Sequence, residues 1–525
     1  MTKRREKSDG LVVPKRRRKT KTPSPARIGK GITVNEQTRQ LDLLGGPAAR
    51  LAPRKGSRVD DALREERPRS PRTSTPLPTS AASEVLSAMT MEAVASEVNL
   101  RRAFEHVAAN DGAPGVDRQS VDEVALHLDD VVDGLRETLL DGSYQPGLVR
   151  RVWIPKSGGG QRGLGIPNVV DRIVQQAVHQ VLSPHFEKTF HDGSHGFRPS
   201  RSCHTAIARA RECLLDGAEY VVDLDLEKFF DRVNHDRLMA RLAARIDDKP
   251  VLKLVRRMLT AGVAMPNGVV VTTTEGTPQG GPLSPLLSNI VLDELDWELE
   301  RRGLSFVRYA DDANIYVGSK RAAHRVMASV VQFIEGHLRL KVNATKSAVA
   351  KPQDRHFLGF TLWKQASDVV VVLLSKRSLE RLDEKIRELI PRNWGQGLES
   401  CIKRLNRYLV GWMGFFGIVD PSEVHRLRKR DAHVRRRLRA LQIRQWGRRR
   451  HIARHLQRLG TKKRVAWKTV YEGHRSTWAL SGHIVFDNAL RNRYFTDRGL
   501  VDLAAKLLKR FETSSAPAQL TLALG

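Results

Sequence analysis

The stretch FVRYADDANIYV, residues 306–317, sets two adjacent aspartates inside an apolar, aromatic run. Phe306, Val307, Tyr309, Ile315, Tyr316 and Val317 are strand formers, and Asp is not. The spacing predicts a hairpin with Asp311 and Asp312 at its tip. Asp is a good turn residue, so a turn alone is one reading. The sharper reading is a metal site, because two carboxylates in so tight a place ionise cheaply only beside a cation. Adjacent strand residues point to opposite faces, so one Asp is expected as the main ligand and the other in a lesser role. Such a site needs a further carboxylate from elsewhere.

YVVDLDLEKFFDRVNHD (220–236) offers one; it reads as a strand, a turn and then a helix. Asp225 stands at the strand end, and Asp223 shares its face, so spacing alone does not choose between them. Asp225 with the Asp311–Asp312 pair makes three carboxylates from two distant segments. That set suits two Mg²⁺ ions, with Mn²⁺ as a substitute, because Mg²⁺ takes few carboxylates, several waters and substrate phosphates. Two ions about 4 Å apart activate an attacking 3′-oxygen and stabilise a leaving pyrophosphate.

The chain has 525 residues, enough for several domains with real cores. A formal net charge of +32 argues for a polyanionic partner, nucleic acid first; a solvated basic surface is the other reading. Cys203, Cys213 and Cys401 show no C-x-x-C spacing, so neither a zinc site nor a disulfide framework is expected, and a reducing, intracellular setting fits. No apolar run reaches transmembrane length, and VVVVLL (369–374) reads as one buried strand. The basic N-terminus lacks the apolar core of a secretory signal, and no membrane association is expected.

Residues 1–80 are rich in Lys, Arg, Pro, Ser and Thr and read as disordered. KRRRK there resembles a nuclear signal, and a solvated tail touching RNA loosely is the preferred reading. Helical periodicity runs from near Ser83 through VASEVNLRRAFEHVAAN (94–110). From there to about residue 365, strand-like runs such as VRRVWIP, EYVVDLDL and HFLGFTLW alternate with helices, an α/β pattern. Residues 376–417 switch to helices. Between residues 426 and 464 stand 17 Lys and Arg against one acid, Asp431. RRRLRALQIRQWGRRRHIARHLQRLG (435–460) interleaves Leu, Ile and Trp446 with arginines, so that one face packs while the other meets phosphates; a membrane-surface helix is the alternative, with a thin apolar face.

RYADD together with DLDLEKFFD resembles the palm of reverse transcriptases. RRVWIPKSGGGQRGLGIPNVVDRIVQQA (150–177) is similar to the fingers, and GSHGFRPSRSCHTAI (193–207), EGTPQGGPLSPLLSNIVLDELD (275–296), LKVNATKSAV (340–349) and HFLGF (356–360) follow in the family's order. RRRLRALQIRQW and YFTDRGLVDLAAKLLKRF resemble the maturase region of group II intron-encoded proteins. The resemblance covers roughly residues 86–512 and is nearest to the compact bacterial class without an HNH endonuclease, in keeping with the missing C-x-x-C pairs.

The resemblance implies a right-hand polymerase fold, α/β in the broad α+β sense. It places a basic extension at 1–85, fingers and palm at 86–365, a helical thumb at 366–425 and a basic maturase and DNA-binding region at 426–525. It makes Asp225 and Asp311 primary metal ligands, with Asp312 beside them and the Leu226 carbonyl as a further ligand. Lys156 and Arg162, flanking the glycine-rich SGGGQ turn, and Arg150 would meet the triphosphate of an incoming nucleotide. An exposed hairpin with ordinary basic flanks is the structural alternative. Phe230 would lie under the nucleotide sugar and exclude a 2′-OH, with Phe229 in the core. Gln279 and its glycines would approach the templating pair. Asn343 and Lys346 would sit below the palm in a structural or phosphate-proximal role, and Gly359 in the primer grip. Tyr408, Trp412, Phe415 and Phe416 are expected in the thumb core.

The expected partners are a group II intron RNA, an RNA template with a DNA primer, a DNA target and dNTPs, in the bacterial cytoplasm and on the nucleoid. The activity expected is RNA-directed DNA polymerase and maturase. Two alternatives stay open: a splicing factor on an inactive palm, and a domesticated reverse transcriptase of phage defence or repair. Met89 and Met91 mark a possible internal translation start, against a genuine RNA-binding tail upstream.

Overall fold

A computed structural model describes residues 88–155, 160–366, 368–391, 395–474 and 476–515. The basic extension and Lys156 lie outside the described residues. In chain order the strands are β1 (Val149–Pro155), β2 (Gln161–Ile166), β3 (Tyr220–Asp225), β4 (Val263–Ala264), β5 (Val270–Val271), β6 (Ser305–Tyr309), β7 (Asp312–Val317), β8 (Ala348–Ala350), β9 (Phe360–Ala366) and β10 (Val369–Leu374). They form three sheets, ordered β2-β1-β4-β5, β6-β7-β3-β8 and β10-β9.

The β6-β7-β3-β8 sheet is antiparallel and covered on both faces, which is why its strands read as nearly continuous apolar runs. Val222, Leu224, Phe306, Ala313, Ile315 and Val317 turn to one core, shared with the helices Glu97–Ala109, Val169–Glu187 and Ser284–Arg301. Val221, Val307, Tyr309 and Tyr316 turn to the other. There they meet the helices Cys203–Leu215, Lys376–Leu389 and Leu398–Phe416. Ile315 and Val307 are fully buried, each worth about 1.5–3 kcal/mol of transfer from water.

Local signals set the element ends. Ser202 and Thr205 close a capping box on Cys203–Leu215, and Ser375 caps Lys376–Leu389 through the Ser378 amide. The helical stretch over 94–110 is broken at Ser96, whose extended backbone separates Met91–Ala95 from Glu97–Ala109. HFLGFTLW becomes a strand only from Phe360, because Leu358 and Gly359 both take positive φ. VVVVLL is β10 as expected, but among the described residues it pairs only with β9, and Val369 is exposed.

The basic zone differs from a helix with one face for phosphates. Val424–Gln445 and Arg449–Arg458 are separate helices, parted at Gly447 with φ +73°. Several arginines of the first are engaged inside the protein. Arg437 donates to the Ile390 carbonyl at 2.6 Å, Arg439 pairs with Asp487, and Arg435 with Asp502. Ile443, Ile452, Leu456, Ala466, Val470, Leu480 and Phe486 form a small core of their own. The chain then returns to the core shared with the sheet, bringing Leu490, Phe495, Leu503 and Leu507 beside Leu405 and Leu409. Asp431 accepts from the Leu503 and Ala504 amides at 3.0 Å each, capping the helix Leu503–Ser515.

The three cysteines are free and buried. Among the described residues no helix is long and apolar enough to cross a membrane.

Candidate active site

The register places the carboxylates. Asp225, last residue of β3, is directly opposite Asp312, first residue of β7. Tyr309 pairs with Asp312 across the hairpin, so the connection is only Ala310 and Asp311. Asp311 therefore lies in the turn and not in the strand, and the alternation argument for two opposite-facing aspartates does not govern it. Ala310 has φ +55°, left-handed for a residue with a side chain, a conformation that costs about 1–3 kcal/mol unless its surroundings enforce it.

The surroundings do enforce it. Arg308 is 1 % exposed and makes a bidentate pair with Asp296 at 2.7 and 2.5 Å. The same guanidinium donates to the Ala310 carbonyl at 2.9 Å, Asn289 Oδ1 at 3.0 Å and Ser194 Oγ at 2.7 Å. Asn289 in turn donates to the Gly196 carbonyl at 2.8 Å, and Gly196 packs against the Ala310 backbone. Arg198 braces this loop through the His191 and Ser194 carbonyls and Glu187. These residues are the unexpected part of the site. Their signal in the sequence is polar residues in helical segments that otherwise bury apolar ones, as in LSNIVLDELD.

Burial pushes the Asp311 carboxyl above the usual range; Asp225 adds to the rise, while Arg162 and Lys346 oppose it. Asp312 is exposed to solvent, although many protein atoms crowd round its carboxyl. That crowding, then Asp311, Asp225 and Asp223, raises its carboxyl too. Lys346 reaches Asp225 at 2.6 Å and is the nearest counter-charge. Asp223 shares the face, as its spacing predicts, but is engaged by Arg355 at 2.7 Å. The choice left open by spacing thus falls on Asp225 as the residue beside the hairpin tip.

Leu226 bridges Val342 in the wide antiparallel manner: Asn343 N–H bonds the Asp225 carbonyl and Glu227 N–H the Lys341 carbonyl, each at 2.8 Å. Its own carbonyl is therefore turned away from the 341–343 segment. Asn343 serves here through its backbone, and its side chain caps Thr345. Among the described residues no three His, Cys, Asp or Glu side chains converge tightly enough to hold an ion alone. An all-oxygen set with excess negative charge nevertheless fits a hard cation completed by water and phosphate.

The fingers sheet comes close enough for Arg162 to act on the Asp311 carboxyl. Exposed Arg162 on β2 donates to Gln279 Oε1 at 2.9 Å. The Gly165 N–H bonds the Gln279 carbonyl at 2.9 Å, and a Cβ on Gly280 would meet the Gly165 oxygen at 2.5 Å. The TPQGG loop is thus stapled to β2. Its Thr277 N–H bonds the Phe230 carbonyl at 2.7 Å. Phe230 is half-buried, edge-on to the core residue Phe229 with centroids 5.3 Å apart. Arg150 lies mid-sheet opposite Ile166, half-buried. Gly359 accepts from Ser378 Oγ at 2.6 Å. Trp412 is buried and stacks on Phe416 at 4.6 Å; Tyr408, Phe415 and Phe416 pack on the same core.

This palm-like sheet with its fingers and helical extension meets the comparisons with known proteins. The model of the reverse transcriptase (RNA-dependent DNA polymerase) family matches residues 154–362, and that of the group II intron, maturase-specific domain matches 379–460. Protein YkfC of Escherichia coli (strain K12) is 36% identical over 293 residues, 48% of this chain and 77% of that protein. The chain belongs to the group II intron-encoded reverse transcriptases. Group II intron-encoded protein LtrA of Lactococcus lactis subsp. cremoris is 36% identical over 230 residues, 41% of this chain and 37% of LtrA's length. A chain of a solved partial Cas6-RT-Cas1–Cas2 complex overlaps 47% of this reverse transcriptase over 43% of its own length, at 24% identity and a TM-score of 0.31. Divalent-metal dependence and nucleic-acid substrates go with the family.

Proposed function

We propose that this reverse transcriptase copies its own group II intron RNA into DNA, with Asp225, Asp311 and Asp312 holding two Mg²⁺ ions, and also binds that RNA as a maturase. The observation that carries the proposal is the cross-strand pairing of Asp225 with Asp312 beside the Asp311 turn, inside the reverse-transcriptase match. Ions bound there would activate the primer 3′-oxygen and stabilise the pyrophosphate. The Leu226 carbonyl, turned away from the 341–343 segment, would be a further oxygen donor. Arg162, Arg150 and Lys156 would meet the triphosphate, Arg162 already sharing the electrostatic field of Asp311. Phe230 would floor the sugar and Gln279 the templating pair. The helices from residue 376 would hold the template–primer duplex, and the basic face of the C-terminal helices the intron RNA and a DNA target.

The test is primer extension on an RNA template with Mg²⁺, using dNTPs and then rNTPs, for wild type and Asp311→Ala. Extension with dNTPs that the variant loses supports the reading. A folded, RNA-binding wild type that extends nothing moves the chain to the splicing-factor reading.

A further inference from the structure

The helix Lys463–Tyr471 turns Ala466, Thr469 and Val470 inward, two of them beside Ile452, Leu456 and Phe486. Its other side carries Lys463, Arg464, Lys468 and Tyr471 at helical spacing, with half-buried Trp467 between them, part of its ring packed on that core. The rings of Trp467 and Tyr471 lie nearly parallel, centroids 5.4 Å apart and planes 8° apart. Tyr471 is 47% exposed. The Trp467 indole N–H reaches no acceptor among the described residues, whereas a buried tryptophan N–H usually finds one.

Lys463, Arg464 and Trp467 line an open depression of about 430 Å³. From residue 432 to 471 the chain holds 14 Lys and Arg and no acid; Glu472 is the first. No acid engages Lys463, Arg464 or Lys468 among the described residues. Fixed aromatic faces beside unneutralised cations fit a ligand with both a π-face and phosphates. A duplex hides its base faces, and an apolar peptide has no use for the cations.

We infer that Trp467 and Tyr471 form a stacking platform for an unpaired nucleobase, with Lys463, Arg464 and Lys468 on the flanking phosphates. The inference rests on the nucleic-acid reading above and names a site within it. Its source is a looped-out base of RNA or an unwound base of DNA.

The full chain is irradiated with short single strands carrying 5-iodouridine or 5-iododeoxyuridine, and the crosslinked peptides are mapped by mass. Labelling within residues 463–474 is expected, and the strand that labels names the source. Tyr471→Ala should remove that label and weaken binding of the base-bearing strand about tenfold, leaving an abasic strand of equal length unchanged. Tyr471→Phe should restore both. Labelling confined to other peptides, or equal loss on abasic and base-bearing strands, overturns the platform. Primer extension on the same preparation separates the failures. An extending enzyme without the label loses only this site, and a wild type that neither extends nor binds loses the nucleic-acid reading with it.

Discussion

A Cβ on Gly196 would stand 2.3 Å from the backbone nitrogen of Ala310. No flexible side chain can yield there, because both partners are backbone. Gly196→Ala is therefore expected to push the 310–312 turn aside at a cost of about 1–3 kcal/mol. Displacing reacting groups by about 1 Å costs on the order of 100-fold in rate. Primer extension should fall by about that factor while RNA binding in a filter assay stays near wild type.

Arg308 and Asp296 form a buried pair, and Arg308 alone also holds the Ala310 carbonyl. Arg308→Met leaves Asp296 charged and unpaired, expected to cost about 3–5 kcal/mol in denaturant unfolding. Adding Asp296→Leu should return much of that stability. It should not return activity, since the turn still lacks its donor. A double variant with wild-type turnover would separate the network from the site.

The carboxylate cluster should weaken the fold that carries it. Asp311 and Asp312 have raised pKa values, so the native state holds protons that the unfolded chain gives up near pH 4. Stability from these groups accordingly falls as pH rises from about 4 through their folded values. Asp311→Asn, at the less exposed of the two, is expected to melt above wild type at pH 8 in chelator. The difference should shrink towards pH 4, and divalent ions should raise the wild type more than the variant.

Two histidines act in the opposite sense. Burial lowers His179 and His195 from the usual value to about 4, aided at His195 by Arg201 and Arg198. Between about pH 6.5 and 4 the unfolded chain binds protons that the native state refuses, so their stability is present above 6.5 and lost on acidification. Each contributes about 3 kcal/mol at most. Unfolding at a series of pH values should show a shallower acid loss in His179→Gln and His195→Asn.

Phe230 is expected to set the choice of sugar through the bulk of its ring. Phe230→Val should raise ribonucleotide incorporation relative to deoxyribonucleotide by about 10- to 200-fold, the range a steric pocket commands. Single-turnover kinetics with paired dNTP and rNTP would measure it, and an unchanged ratio would remove Phe230 from that role.

The palm hairpin was legible because its physics is local. Alternation in residues 306–317 sets the strands, and the Asp223–Asp225 spacing sets their shared face. What holds the hairpin tip was not legible. Arg308 draws partners from two other segments, the helix Ser284–Arg301 and the loop at Ser194, the latter 114 residues away, and no local period reports them. The arginine-rich helix failed for a related reason. An arginine at helical spacing looks the same whether it faces water or, like Arg437, a buried carbonyl. The placement of Asp311 in the turn needed the register, which one residue of slip would have changed.

Leu503, Ala504 and Leu507 share a core with Leu405 and Leu409, which are translated about a hundred residues earlier. On the ribosome the thumb helices therefore wait, with an apolar groove uncovered, until the later segment arrives and Asp431 receives its two amides. A nascent chain paused in that interval carries every strand of the β6-β7-β3-β8 sheet but lacks the last apolar side chains of the core on that sheet's thumb side.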